Sequence, residues 1–167
     1  MPTKQRRYVL KTKEARHILI EASTKLKLDL EKVFGPKVVV EVVESDVGLI
    51  YLIGGKPIFY TAGDKVLPTL LFSEFTTQAP KIVVDMGAVP HVCKGADVMA
   101  PGIVRIEGEF SKGDIALIID IKYGKALALG QSLYDAETAK KTKKGPIVKT
   151  LHYVSDKIWD YSKTLAE

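Results

Sequence analysis

The side chains best equipped for chemistry are few and scattered. His17, His91 and His152 stand singly, none at the i, i+4 spacing that sets two imidazoles on one helix face around a metal. Cys93 is the only cysteine, which excludes an intrachain disulfide and a multi-cysteine zinc site. His91 and Cys93 flank a single residue and, with Asp85, offer an incomplete ligand set, so a structural role is the stronger reading. No Gly-x-Ser-x-Gly turn is present for an exposed nucleophile. Gly54-Gly55-Lys56 imitates the end of a phosphate loop, but the rest of that motif is missing and Pro57 follows, as in a hairpin turn. These spacings support no catalytic residue, no cofactor and no metal.

Charge is the next resource. Residues 1–16 hold six basic side chains (Lys4, Arg6, Arg7, Lys11, Lys13, Arg16) against Glu14 alone. Residues 122–149 hold seven lysines (Lys122, Lys125, Lys140, Lys141, Lys143, Lys144, Lys149) against Asp135 and Glu137. The whole chain carries only +5, so everything outside the two blocks is net acidic. Two concentrated blocks suit contact with a polyanion better than an evenly spread charge does. Between them runs Asp85-Met-Gly-Ala-Val-Pro-His-Val-Cys-Lys-Gly-Ala-Asp-Val-Met-Ala-Pro-Gly-Ile103. Its glycines permit close backbone approach, its alanines keep the surface flat, and its exposed amides are expected to hydrogen-bond phosphates or base edges.

The elements that must position these residues read as follows. Residues 8–10 suggest a short strand, and Thr12 a cap for a helix with Ala15, Ile18, Leu19, Ala22 and Leu26 on one face. Leu30, Val33 and Phe34 suggest a further turn, ended by Gly35-Pro36. Residues 37–44, 47–53 and 56–60 read as a three-stranded meander. Residues 65–75, with Leu67, Leu70, Leu71 and Phe75, are compatible with a helical turn on that sheet, where Tyr51, Tyr60, Phe72 and Phe75 fit the core. Residues 76–80 are the best linker signal. Beyond it, 82–85, 103–107, 115–121, 125–129 and 147–153 read as short strands punctuated by glycine, with helices near 88–94 and 134–141, as in a small β-barrel. A last helix over 155–165 aligns Ile158, Trp159, Ser162 and Leu165.

From Asp85 to Ile103, and on through Gly113 to Ile118, Gly124 to Gly130 and the closing Gly145 to Trp159 segment, the chain resembles the PUA domain, a pseudo-barrel named from pseudouridine synthases and archaeosine transglycosylases. The preceding half resembles a pre-PUA domain, and the whole is similar to the archaeal relatives of the malignant T-cell-amplified and translation machinery-associated proteins. The resemblance implies an α+β protein: an N-terminal α/β pre-PUA domain over 1–77, then a PUA pseudo-β-barrel with a C-terminal helix over 78–167. It also implies a non-catalytic RNA-binding role in translation, initiation or recycling, with tRNA (acceptor or CCA end) or rRNA as ligand. The small ribosomal subunit and an initiation-factor-like protein are the implied partners.

On that basis the RNA-binding residues are Gly87, Ala88, Lys94, Gly95, Ala96, Met99, Ala100, Pro101, Gly102, Lys125, Gly130, Lys140, Lys141, Lys143, Lys144 and Gly145. Arg6, Arg7, Lys11, Lys13 and Arg16 form a candidate second RNA or ribosome surface. Two other readings stay open: an accessory subunit of an RNA-modifying enzyme, and a ribosome-docking adaptor. Composition agrees with a folded cytoplasmic protein. At 46% hydrophobic and 27% charged residues the chain is too apolar for disorder. No apolar run approaches the ~20 residues of a membrane span. The basic start is followed by too short an apolar stretch for a secretory signal. Asparagine is absent and glutamine occurs three times, which leans towards a thermophilic source.

Overall fold

The computed structural model describes residues 6–167, so Lys4 of the first basic block lies outside the described residues. The chain folds into two compact units: one runs through Phe75 and includes Asp160–Glu167, the other is Thr76–Trp159.

The first unit is built on an antiparallel sheet in sequence order: β1 (Arg7–Val9), β2 (Val40–Ser45), β3 (Gly48–Ile53), β4 (Lys56–Ala62) and β5 (Lys65–Pro68). Helix α1 (Thr12–Leu26) buries Ala15, Ala22 and Leu26, three members of the sequence-expected apolar face, and α2 (Leu30–Phe34) buries Leu30. Asp29 caps α2 by accepting from the Lys32 amide. Thr12 does not cap α1. It is the first helical residue, and Lys11, which has no capping side-chain oxygen, holds the cap position. Phe72 gathers the core, stacked on Phe34 at 5.6 Å and edge-on to Phe59 at 5.5 Å, while Tyr51, Tyr60 and Phe75 are also buried.

Two expectations change here. Residues 65–68 form a strand rather than a helical turn, pairing Leu67 with Tyr60 and Pro68 with Phe59. Pro68 is tolerated because β5 is the sheet edge, where a missing N–H breaks no ladder. The division between the two units falls at the start of the expected linker, 76–80, but its residues 76–78 are helical: they finish helix α3 (Ser73–Gln78), in which Phe75 is buried.

The second unit is a six-stranded sheet curled into a half-barrel. Its elements are β6 (Lys81–Val84), α4 (Val89–Val92), β7 (Val98–Met99), a 3-10 turn (Ala100–Gly102), β8 (Ile103–Glu107), β9 (Ile115–Asp120), β10 (Ala126–Ser132), α5 (Ala136–Lys141) and β11 (Pro146–Tyr153). The strand order is β7-β11-β10-β9-β6-β8, antiparallel except where β6 runs parallel to β9. Ile82, Val84, Val92, Val98, Ile118, Ala128, Ile147 and Val148 fill the interior. β6 and β9 read as almost continuous apolar runs, the pattern of buried strands. Helix α6 (Lys157–Ala166) follows, with Ile158 and Ser162 buried. Among the described residues no helix is long and apolar enough to cross a membrane.

Candidate nucleic-acid interface

The glycine-alanine stretch leaves β6 and rejoins the sheet at β7 and β8, and its shape follows from local hydrogen bonds. Asp85 Oδ1 accepts from the Ala88 amide at 2.8 Å, which starts α4. Gly95 turns the chain back with φ +91°, and a Cβ there would lie 2.9 Å from the Tyr153 ring, so only glycine fits. The return is fastened to β11: Thr150 donates its amide to Asp97 Oδ1 (3.1 Å) and its hydroxyl to the Ala96 carbonyl (2.9 Å). The Ala100 amide donates to the Gly145 carbonyl, and the Asp85 amide to Gly102.

This architecture alters one sequence expectation. The amides of Ala88, His91 through Ala96, and Ala100 already donate to protein oxygens. They hold the loop's shape and are not free to cradle phosphates. What the loop offers is a concavity of about 500 Å³ walled by Gly87, Ala88, His91, Ala96, Met99, Pro101 and Gly102, with Asp85 and Asp97 at its margin. Such a size falls in the range of small-ligand sites, roughly 300–1,000 Å³. Its carboxylates and apolar wall suit the flat face of a base and disfavour a phosphate.

Pro101 also belongs to a second hollow, about 440 Å³, between the 3-10 turn, β8 and the end of α5. Lys140 and Lys143 supply its charge together with Arg105, whose Nε also pairs with Glu107 at 3.4 Å, and Ala100, Ile103, Val104 and Ala139 its apolar floor. Asp135 caps α5, and the Thr138 amide that it accepts holds its carboxyl below the usual range. The helix thus carries Lys140 and Lys141 in its last turn, where cations are favoured by the backbone dipoles.

The sequence-derived residues separate into groups. Gly87, Ala88, Ala96, Met99, Pro101 and Gly102 share the first hollow; Ala100, Lys140 and Lys143 share the second with Pro101. Lys94 and Lys144 are exposed nearby in sequence, and Gly145 serves as a backbone anchor for Ala100. Lys141 pairs with Glu137 at 3.4 Å. Lys125 lies on the β9–β10 turn, outside both hollows. Gly130 is not at the surface. It is buried at a register shift between β10 and β11, where a Cβ would run into Val148 Cγ1 and lie 2.8 Å from the Lys149 carbonyl.

Arg105 is the contributor that sequence reasoning missed. The available signal was a lone arginine set between apolar residues of a short strand, with Val104 and Arg105 exposed.

The basic residues of the first unit are engaged differently. Arg7 Nε contacts Glu41 at 2.8 Å, Arg6 lies 3.7 Å from Glu44, and the Arg6 guanidinium sits 5.0 Å above the Tyr8 ring. Lys11 and Lys13 are exposed, and Arg16 lines a separate groove with Leu19 and Ile20. As for metal ligands, no cluster of three or more His, Cys, Asp or Glu side chains is formed among the described residues. Burial pushes the Cys93 thiol up, away from thiolate reactivity.

A curled half-barrel whose first strand and helix carry a glycine-alanine loop defines the second unit as a PUA domain, an RNA-binding module. Residues 80–154 match the family model of the PUA domain, and residues 6–73 match that of a domain of unknown function, DUF1947. The chain is 34% identical over 158 residues to the uncharacterized protein MJ1432 of Methanocaldococcus jannaschii, covering 94% of this chain and 97% of that one. It is 26% identical to translation machinery-associated protein 20 of Saccharomyces cerevisiae, covering 86% and 84%. A crystal structure of the hypothetical protein PH0734.1 from Pyrococcus horikoshii superposes with a TM-score of 0.78 at 31% identity, covering 94% of this chain and 99% of that one. The chain belongs to this family of two-domain PUA proteins, which includes translation machinery-associated protein 20.

Proposed function

We propose that the protein is a non-catalytic, cytoplasmic RNA-binding factor of translation that seats an unpaired RNA end, the CCA end of tRNA, in the glycine-alanine hollow. The observation that carries this reading is the pair of hollows joined at Pro101: a flat apolar recess for a base opens beside a groove whose charge comes from Arg105, Lys140 and Lys143. Single-stranded ends suit such a site because their bases can be splayed out, while the narrow major groove of paired RNA excludes side chains. The lysines supply the salt-sensitive, sequence-independent part of the affinity.

The relationship to translation machinery-associated protein 20 supports a place in translation, and makes the small ribosomal subunit and an initiation-factor-like protein the partners to test. The basic edge of the first unit is the second surface in this scheme. The test is binding of tRNA with and without its CCA end: the intact tRNA binds more tightly, and equal affinities would remove the acceptor-end assignment. Ribosome co-sedimentation in low salt tests the second surface with Arg6, Arg7, Lys11, Lys13 and Arg16 replaced by alanine.

A further inference from the structure

The turn joining β9 to β10 lies outside both hollows and holds an exposed aromatic ring with two cations close to it. Tyr123 is 63% exposed, the highest value among the large hydrophobic side chains of the second unit. The Lys122 ammonium stands 5.1 Å and the Lys125 ammonium 5.7 Å from its ring centroid. The hydrogen bonds of the turn keep this ring in place.

Asp120 is 3% exposed and accepts hydrogen bonds from the Tyr123 and Lys125 amides. The Gly124 amide donates to the Asp120 carbonyl, the Asp120 amide to Lys125, and the Ile121 amide to Val84 at the end of β6. The only carboxylate of the turn is thus turned inward onto backbone donors, and its outward charge is wholly positive. The Ile121 bond also sets the turn beside the strand end from which the glycine-alanine loop departs, where Met86 and Ile121 are exposed as well.

We infer that Tyr123 is a stacking platform for an unpaired nucleobase, with Lys122 and Lys125 neutralising the flanking phosphates. The inference rests on the RNA-binding reading above and adds a contact that the two hollows do not contain. A ring with two χ angles on a turn fixed by its own hydrogen bonds loses little freedom on binding. Base-on-ring stacking is also stronger than the exposed cation–π contacts it would displace. The displaced ammonium groups stay within reach of the backbone. A ligand recognised in this way is single-stranded RNA of no fixed sequence, since every base has a flat face.

The test uses the full chain, fluorescein-labelled oligoadenylate, and an abasic ribose-phosphate oligomer of the same length, read by fluorescence anisotropy. Tyr123→Ala weakens oligoadenylate binding about 5- to 100-fold. Tyr123→Phe keeps the wild-type affinity because the ring remains, and the abasic oligomer binds Tyr123→Ala and wild type alike. Thermal unfolding of each variant checks that the surface substitution leaves the fold intact. If the wild type binds oligoadenylate and Tyr123→Ala binds it equally well, the platform is overturned while RNA binding stands. That is also the result expected of a ring kept for a protein partner. If Tyr123→Ala weakens both oligomers equally, stacking is overturned in favour of a phosphate contact. If the wild type binds neither tRNA nor oligoadenylate, the RNA-binding reading falls, and the platform with it.

Discussion

The two basic blocks look alike along the chain and differ once folded. In the first unit the antiparallel register of β1 on β2 sets Val9 opposite Glu41 and Arg7 opposite Val43, so Arg7 meets Glu41 on the diagonal, while Arg6, just before β1, accepts at its carbonyl from the Glu44 amide. Arg6 and Arg7 are thereby paired before any partner arrives. In the second unit Lys94, Lys140, Lys143 and Lys144 have no ion pair among the described residues, and two of them face a groove shared with Arg105, which itself pairs with Glu107. Blocks of equal net charge therefore give unequal fields. Surface ion pairs are worth only about 0–1 kcal/mol each, so the first block remains recruitable, yet part of its charge is cancelled locally.

The contrast breaks most directly through salt dependence. Replacing Lys94, Lys140, Lys143 and Lys144 by alanine is expected to lower the slope of log affinity against log salt for RNA by about two to three. Replacing Arg6, Arg7, Lys11 and Lys13 lowers it by about one or less; equal losses from the two sets would show that the ion pairs in the first unit do not matter.

Next in size is the packing of the second unit. Gly130→Val places a side chain where Val148 and the Lys149 carbonyl already stand, and a destabilisation of about 1–3 kcal/mol is expected from denaturant unfolding. An unchanged midpoint would mean that the register shift relaxes freely.

Acid should also act on the two units differently: in the first, Glu41 is held low by the exposed Arg7 beside it, a pair screened by solvent. In the second unit Asp120 is held below its ordinary value, 3.8, chiefly by the Tyr123 amide. Asp135 is held down by the Thr138 amide; at Asp156 burial, the largest single effect, pushes the carboxyl up, and the His152 ring 2.8 Å away with the Trp159 and Tyr153 amides together outweigh it and hold it down. Because the folded values lie below the unfolded ones, their stabilisation is fully present above about pH 4 and is lost as pH falls through the folded values. Trp159, whose amide donates to Asp156 at 2.7 Å, is the natural fluorescent reporter of this loss. Asp156→Asn should flatten that acid limb, and a limb of unchanged steepness would assign it to other carboxylates.

The smallest effect tests the first unit alone. Lys11 occupies the N-cap of α1 without a capping side chain, so Lys11→Ser should stabilise that unit by about 0.5–1 kcal/mol, read as a higher thermal midpoint.

Much of the fold was legible. The period of Ala15, Ala22 and Leu26 marked α1, the β-branched runs marked β2 to β4, and the short apolar strands between glycines marked the barrel. Residues 65–68 misled because Leu67, Leu70, Leu71 and Phe75 fall at helical intervals, while strand pairing with β4 is a long-range term that local spacing does not express. Residues 76–78 carried turn-like composition but were drawn into α3 as Phe75 was buried. In the candidate interface the glycine-alanine stretch announced itself by composition. Arg105 and Tyr123 did not, since neither belongs to a local motif.

The sequence by itself determined the two-part organisation, the small-residue loop and the supply of positive charge, because these depend on composition and short-range periodicity. Only the tertiary structure decided which charges are free, which amides are already bonded, that Gly130 is a packing residue, and that Pro101 joins an apolar recess to a basic groove. Each of those outcomes depends on strands far apart in the chain meeting in one register, and a register is set by the packing of the whole sheet rather than by the residues at the site.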